Sequence, residues 1–304
     1  MMDPTTIITL AAGGENNPVG HAVNHFFIVL KNGVVVWSAH QGNLVLSGLI
    51  LLILGPWVAR RIGTGPESEG NDRYLTTNKF AHMIEVICVY LREKTVRPML
   101  HERTERFMPF LWTLFFFILV NNLLGLVPLL DLQFILSKEL RESHTAPLGG
   151  TATQNLAVTG ALAVVSFFVI NVAGIRALGL GNYLKHLTGG APGFVVPLMV
   201  LIEGASIFIK PAALALRLFA NMTAGHILMA TIFMFVGMSL KAGLGVGVPV
   251  TLISVLSATA ITFLELFVAF LQAFVFMFLT TVFISMLSHH HEDDHHHEAH
   301  PAHA

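Results

Sequence analysis

Apolar runs long enough to cross a lipid bilayer dominate the sequence. The first, NLVLSGLILLILGPWV, begins at Asn43, follows VVVW at 34–37, and is closed by a pair of arginines. Two further runs are rich in Phe, Leu, Val and Ala. Since an α-helix needs ~20 apolar residues to cross ~30 Å of hydrocarbon, the pattern predicts three transmembrane helices, at about 43–61, 107–130 and 151–175.

The last two apolar blocks are about twice that length. They cover 47 residues (194–240) and 42 residues (246–287), or roughly 70 and 63 Å as continuous helices at ~1.5 Å per residue. Each block either folds into two short spans or forms one steeply tilted helix. No polar cluster divides them, and prolines such as Pro197 and Pro211 more often kink a membrane helix than end it. We therefore favour a hairpin of two long tilted helices joined by KAGLGVG at 241–247.

A charged segment separates the first two spans. Residues 60–106 hold nine of the 17 basic and seven of the 18 acidic residues. Within them, an amphipathic helix is predicted at about 78–100, since apolar side chains recur at helical spacing opposite the charges. Such a helix either lies in the membrane interface or packs on a partner subunit. Its apolar positions are Phe80, Met83, Ile84, Ile87 and Leu91.

Composition and charge narrow the class of protein. The chain is 54% apolar and only 12% charged, which excludes a soluble globule and predicts an all-α membrane protein of about five transmembrane helices plus the interfacial helix. The formal net charge of −1 gives no basic field for nucleic acid. The lone Cys88 excludes disulfides and multi-cysteine metal sites, and we expect no cofactor and no metal.

The distribution of basic residues predicts the topology. Loops 60–106 and 176–193 together hold eleven Lys and Arg, so these loops should be cytoplasmic. The N-terminus has no basic residue before its short apolar stretch, so we do not expect a cleaved signal peptide. The predicted organisation is an extracytoplasmic segment at 1–42, peripheral helices at 43–193, the tilted hairpin at 194–288 and a disordered, His-rich cytoplasmic tail at 289–304.

Five ionisable residues lie inside the two long blocks. A charged group at a helix centre costs at least ~2.5–3.5 kcal/mol unless it faces protein, water or a counter-charge, so each is a candidate functional residue. Two have ordinary alternatives: Lys210 can extend to the interface, and His226 can be a hydrogen-bonded packing residue. The five are Glu203, Lys210, Arg217, His226 and Glu265.

Helix geometry groups these residues. At 100° per residue, Glu203, Lys210, Arg217 and Asn221 project onto one stripe of the first block, and His226 points roughly the opposite way. Glu265 and Gln272, seven apart, share a face of the second block. An arginine is a fixed positive charge, because it does not deprotonate in proteins. Glu and His can instead exchange protons.

The residues around Arg217 resemble a known family. The stretch EGASIFIKPAALALRLFANMTAGH at 203–226, with LQAFVFMFLTTVFISM at 271–286, is similar to the a subunit of the F-type ATP synthase, the stator part of its proton channel. NNLLGLVP at 121–128 and TQNLAVTGALA at 154–163 match more loosely. The resemblance covers roughly residues 80–288.

That resemblance implies a role for each candidate residue. Arg217 would be the essential arginine that faces the carboxylate of the rotor ring, with Asn221 beside it. The others fall on half-channel and interface positions: Glu203, His226, Glu265 and Gln272. Many bacterial members have a carboxylate where this chain has His226 and a histidine where it has Glu265. This exchange suggests that the two side chains lie near each other across the helix pair.

The resemblance also implies the setting. The chain would be a non-catalytic, proton-translocating subunit of a bacterial inner membrane, with its N-terminus outside. Its partners would be the ring of c subunits, the peripheral-stalk b subunits and the lipid bilayer; it would bind no nucleotide and no nucleic acid.

Two other classes of protein compete with this interpretation. In a secondary transporter, Arg217 would bind an anionic substrate, but no internal repeat typical of such folds is visible. For a structural anchor, the embedded charges would be superfluous.

Overall fold

The computed structural model shows long α-helices preceded by one small β-hairpin. It describes residues 26–29, 35–62, 76, 78–127, 129, 133, 137, 147–186, 194–241 and 243–286. The described residues fall into two compact units. The first comprises Met1–Leu49, Phe117–Thr159 and Leu216–Ala273; the second comprises Ile50–Phe116, Gly160–Ala215 and Phe274–Ala304.

Seven α-helices follow the hairpin in the described part of the chain. The antiparallel strands are β1 (Phe26–Val29) and β2 (Val35–Ser38). A π-helical segment, Leu91–Val96, separates the second and third helices, and 3-10 turns occur at His101–Arg103 and Ala152–Gln154. The helices are α1 (Ala39–Ala59), α2 (Lys79–Tyr90), α3 (Arg97–Leu100), α4 (Thr104–Leu126), α5 (Leu156–His186), α6 (Val196–Lys241) and α7 (Leu244–Met286).

Polar side chains cap the N-termini of the first two helices. Before α1, the Ser38 backbone N–H donates to Gln41 Oε1 at 2.9 Å, as in a capping box, where a side chain satisfies an amide that has no partner in the helix. Asn78 caps α2 in the same way, since its Oδ1 accepts from the backbone N–H groups of Phe80 and Ala81, both at 3.1 Å. The helix boundaries are therefore set locally by sequence.

The predicted class, an all-α membrane protein, is confirmed. Four helical stretches in the described part are long and apolar enough to cross a membrane, and the apolar part of α5, Leu156–Val172, is shorter. The predicted number of about five spans agrees approximately with this set. The four stretches are Ala39–Ala59, Lys79–Leu126, Val196–Lys241 and Gly247–Ser285.

The two long blocks each form one helix. The helix α6 has 46 residues and α7 has 43, so each is about 65–70 Å long at ~1.5 Å per residue. Pro211 lies inside α6 and Pro249 inside α7, and neither ends its helix. The linker is only residues 242–243, shorter than the predicted turn at 241–247. Gly243 has φ +109°, which a residue without a Cβ adopts freely.

Two elements differ from the sequence prediction. No strand was predicted, but residues 35–37 of VVVW form β2 together with Ser38, directly before α1, since β-branched and aromatic residues also favour strands. The third predicted span, 151–175, begins later and ends later, as α5 runs from Leu156 to His186 with a break at Gly179 (φ 75°, ψ 155°). Arg176 therefore lies on a helix, not in the predicted loop.

The predicted interfacial helix at 78–100 corresponds to α2, the π-helical segment and α3. Leu91 is buried, whereas Phe80 and Met83 are a little under half exposed. In the second unit, where this region lies, the Trp112 indole N–H donates to the Cys88 carbonyl at 3.3 Å. The Ser285 hydroxyl donates to the Met99 carbonyl at 2.8 Å. These two bonds tie α2 to α4, and α3 to the end of α7.

The predicted segments at the two ends lie largely outside the described residues. Of the N-terminal segment 1–42, the structure describes 26–29 and 35–42; of the tail 289–304, it describes none.

Candidate functional site

Arg217 lies on an exposed face of α6. Arg217 and Asn221, one turn apart, are exposed, whereas Leu218 and Met222 beside them are buried. Within the described part of the chain, no carboxylate lies within 4.0 Å of the guanidinium. Because an arginine does not lose its proton in proteins, this guanidinium can pair with a negative charge that lies outside the described side chains.

Small residues surround this arginine. Ala220 and Ala224 are exposed on the same helix. Methyl side chains let another helix approach closely, as at the contacts of membrane helices. Another helix could therefore approach the surface around Arg217 closely.

Asn221 and Gln272 join α6 to α7. The Asn221 Nδ2 donates to Gln272 Oε1 at 3.1 Å. Gln272 is only 2% exposed, and its Nε2 has no hydrogen-bond partner among the described residues. This hydrogen bond holds Gln272 of α7 against Asn221, which lies one helical turn from Arg217.

Glu265 reaches α6 one turn further along, at Gly225. A Cβ built at Gly225 would overlap Glu265 Oε1 and lie 3.0 Å from its Cδ and 3.2 Å from its Cγ. The carboxylate thus occupies the space that a side chain at 225 would fill. Glu265 and Gln272 therefore both face α6. We call Arg217, Asn221, His226, Glu265 and Gln272 the polar seam.

His226 contacts a different element. Its Nε2 lies 2.6 Å from the hydroxyl of Thr151, in the segment before α5. Glu265 touches the residue next to His226, yet no hydrogen bond or ion pair joins the two side chains, both of which the structure describes. The structure places both groups at the same level of α6 but gives them separate partners.

A second buried polar contact lies beside the polar seam. The Thr153 hydroxyl donates to Asn122 Oδ1 at 2.8 Å, and Asn122 Nδ2 donates to the Ala269 carbonyl at 3.2 Å. Ala269 is one turn from Glu265 on α7. Sequence reasoning did not assign Thr151, Thr153 or Asn122 to the site. The sequence signal that could have indicated them is the presence of amide and hydroxyl side chains at the end of one apolar span and at the start of the next.

Glu203 and Lys210 belong to the second unit. The Glu203 side chain lies outside the described residues, although its backbone is in α6. The Lys210 ammonium lies 5.5 Å from the centroid of the Phe283 ring of α7, a cation–π distance. In the part of the chain that the structure describes, no cluster of three or more His, Cys, Asp or Glu side chains could hold a metal ion.

The fold and the site together define a class. This is a multi-pass, predominantly helical membrane protein whose two longest helices meet along ionisable and amide side chains. The chain belongs to the ATP synthase A chain family, whose model matches residues 43–285. The match begins within α1, well before residue 80, so the resemblance covers more of the chain than the sequence motifs indicated.

Several bacterial relatives named ATP synthase subunit a are similar to the chain. The protein of Myxococcus xanthus is 44% identical over 229 residues, covering 73% of this chain and 67% of the relative. That of Chloroherpeton thalassium is 38% identical over 260 residues, covering 84% and 65%. The subunit a 2 of Prosthecochloris aestuarii is 33% identical over 289 residues, covering 90% and 81%. The chain thus spans about two thirds of the length of the first two relatives.

A substitution at Gly225 tests the placement of Glu265. On the proton-path role that the family resemblance implies for Glu265, Gly225→Ala should lower ATP-driven proton pumping about ten-fold or more, since a shift of ~1 Å at a reacting group is costly. The new methyl group displaces the carboxylate, the mobile end of a side chain, rather than the helix backbone. Pumping is measured in inverted membrane vesicles with a pH-sensitive dye.

Gly237→Ala is the matched control on α6, because a Cβ there meets open space. Pumping at the parent rate by Gly225→Ala, in vesicles that contain the assembled complex, would contradict the placement of Glu265.

Proposed function

We propose that this chain is the non-catalytic, proton-translocating a subunit of a bacterial F-type ATP synthase. Its family and its relatives' names support the class, and the observation that carries the mechanism is Arg217: exposed on a membrane helix, without an acidic partner among the described side chains. An unpaired charge in lipid is costly. Arg217 is therefore best explained by a carboxylate that another subunit delivers.

The proposed partner is a ring of c subunits that rotates past α6 and α7. A ring carboxylate that reaches Arg217 is held ionised, because a nearby positive charge stabilises the charged form. To move on into lipid, the carboxylate must first take up a proton. Arg217 thereby keeps proton entry separate from proton exit, because a ring carboxylate that has bound a proton carries no charge and is no longer attracted to the guanidinium.

The other ionisable residues supply and remove the proton. Glu203, His226 and Glu265 exchange protons along two aqueous half-channels, one open to each side of the membrane. Asn221 and Gln272, hydrogen-bonded to each other, hold α6 and α7 together beside Arg217. Each charge that crosses releases ~2.3 kcal/mol per 100 mV, so several protons are needed for each ATP made elsewhere in the complex.

The proposed orientation follows from the basic residues. The segments 60–106 and 176–193 face the cytoplasm, with the N-terminus outside and the C-terminus inside. The b subunits of the peripheral stalk would keep the chain from turning with the ring. The chain itself binds no nucleotide.

Removing and restoring the chain tests this function. In cells that lack it, membranes should hydrolyse ATP but not pump protons in response to ATP, because the nucleotide sites lie on other subunits. The full chain, re-expressed, should restore pumping. Proton pumping that persists without the chain would contradict the proposal, and selective loss of uptake of one anionic solute would favour a secondary transporter.

A further inference from the structure

Thr151 is buried at the point where three elements of the first unit meet. Its side chain is 0% exposed, and its hydroxyl lies 2.6 Å from His226 Nε2. The same side chain packs on Gly125 of α4, where a Cβ would overlap the hydroxyl and come within 2.6 Å of Thr151 Cβ and Cγ2. A glycine at 125 therefore provides the space that Thr151 occupies.

The backbone that carries Thr151 is fastened on both sides. Asn43 of α1 accepts from the Gly149 N–H at 3.2 Å and donates to the Gly150 carbonyl. On the other side, Thr153 bonds to Asn122, which in turn bonds to α7. Ahead of this, the Trp37 indole N–H donates to the Pro147 carbonyl at 2.9 Å. Residues 147–153 thus form a fixed support, not a free loop.

We infer that Thr151 is a positioning residue for the proton path, holding the His226 ring in one orientation through its Nε2. A hydroxyl suits this position because it can donate to the neutral ring and accept from the protonated ring, so the bond survives either state. Partners that hold a histidine's orientation are general devices for setting which ring nitrogen is free to exchange a proton. The inference depends on the proposed function, since it assigns a support to one residue of that path.

Paired substitutions at Thr151 test the inference. Thr151→Val keeps the shape but removes the hydroxyl, and should lower ATP-driven proton pumping about five-fold, the effect of one ordinary hydrogen bond. Thr151→Ser keeps the hydroxyl and should pump within two-fold of the parent rate. Both are measured in inverted vesicles with the amount of assembled complex determined by immunoblot.

Thr159→Val is the matched control. Thr159 is also buried in the first unit, but among the described residues its hydroxyl bonds only to the Leu156 carbonyl of its own helix. This variant should pump at the parent rate. Should Thr151→Val fail to assemble, Thr151→Ala takes its place beside Thr151→Ser, because alanine removes atoms without adding any.

Two results would overturn the inference. One is parent-rate pumping by Thr151→Val; the other is a Thr151→Ser variant as defective as the valine variant, which would show that the packing on Gly125 matters and the hydroxyl does not. Either result leaves the proposed function intact as long as pumping still requires the chain. If pumping did not require the chain, both the proposed function and the inference about Thr151 would be wrong.

Discussion

Arg217→Ala is expected to abolish ATP synthesis driven by a proton gradient, with the complex still assembled in the membrane. The guanidinium lies on an exposed face, so its removal leaves no cavity in the described core. A unit charge pair at ~4 Å contributes about 4 kcal/mol at an effective dielectric constant of ~20. In the proposed mechanism that energy keeps the ring carboxylate ionised at this position, and by the rule of ~1.4 kcal/mol per factor of ten it corresponds to roughly a thousand-fold.

The measurement is ATP synthesis by vesicles energised with an imposed pH gradient. Lys241→Ala is the control: it removes an exposed basic residue at the end of the same helix, far from the polar seam, and should synthesise ATP at the parent rate. Arg217→Lys separates charge from geometry. Lysine can lose its proton and lacks the planar fork, so this variant should also fail to couple.

Coupled synthesis by Arg217→Ala at more than a few per cent of the parent rate would contradict the role of a fixed charge. Loss of the complex from the membrane would instead assign Arg217 a structural role.

Glu265→Gln should lower proton transport at least roughly 100-fold, the lower range for losing a group that transfers protons. Glutamine has nearly the same shape, and its amide can still occupy the space beside Gly225. Only the exchangeable proton is lost. The rate is measured as ATP-driven pumping and as ATP synthesis, since a residue on the path should slow both directions.

Thr262→Val serves as the control on α7, because within the described part of the chain the Thr262 hydroxyl bonds only to the Ala258 carbonyl of the same helix, at 3.0 Å. A further check comes from combining substitutions. Since Gly225→Ala is expected to act by displacing the Glu265 carboxylate, it should cause no additional loss in the Glu265→Gln background. Independent, multiplying losses would show that Gly225 has a role of its own.

Much of the fold could be predicted from the apolar pattern. Lipid supplies no hydrogen bonds, so an apolar run must satisfy its backbone within a helix, and this requirement predicts α1, α4, α6 and α7 from run length alone. The single-helix form of α6 and α7 also followed, because the blocks contain prolines but no polar cluster. The strand at residues 35–38 and the extension of α5 to His186 could not be predicted, because β-branched residues and a lone glycine such as Gly179 are compatible with either structure.

The candidate site divides in the same way. Arg217, His226 and Glu265 stand out in sequence, because ionisable side chains are rare in apolar helices. Their partners do not stand out. The helix period predicted that Glu265 and Gln272 face α6, but it could not predict that Glu265 meets Gly225 or that His226 turns to Thr151.

The sequence by itself determined that the protein lies in lipid, where its long helices run and which of their side chains are ionisable. The reason is that hydrocarbon thickness and the cost of charge in lipid act on each segment separately. The tertiary structure alone decided the pairings: Asn221 with Gln272, Glu265 with Gly225, and His226 with Thr151. These contacts join residues about 40 to 75 positions apart, and the helix period fixes which side of a helix a residue is on, not which helix it faces. Their physical cause is close packing, in which glycines at 125 and 225 leave the space that a hydroxyl and a carboxylate fill.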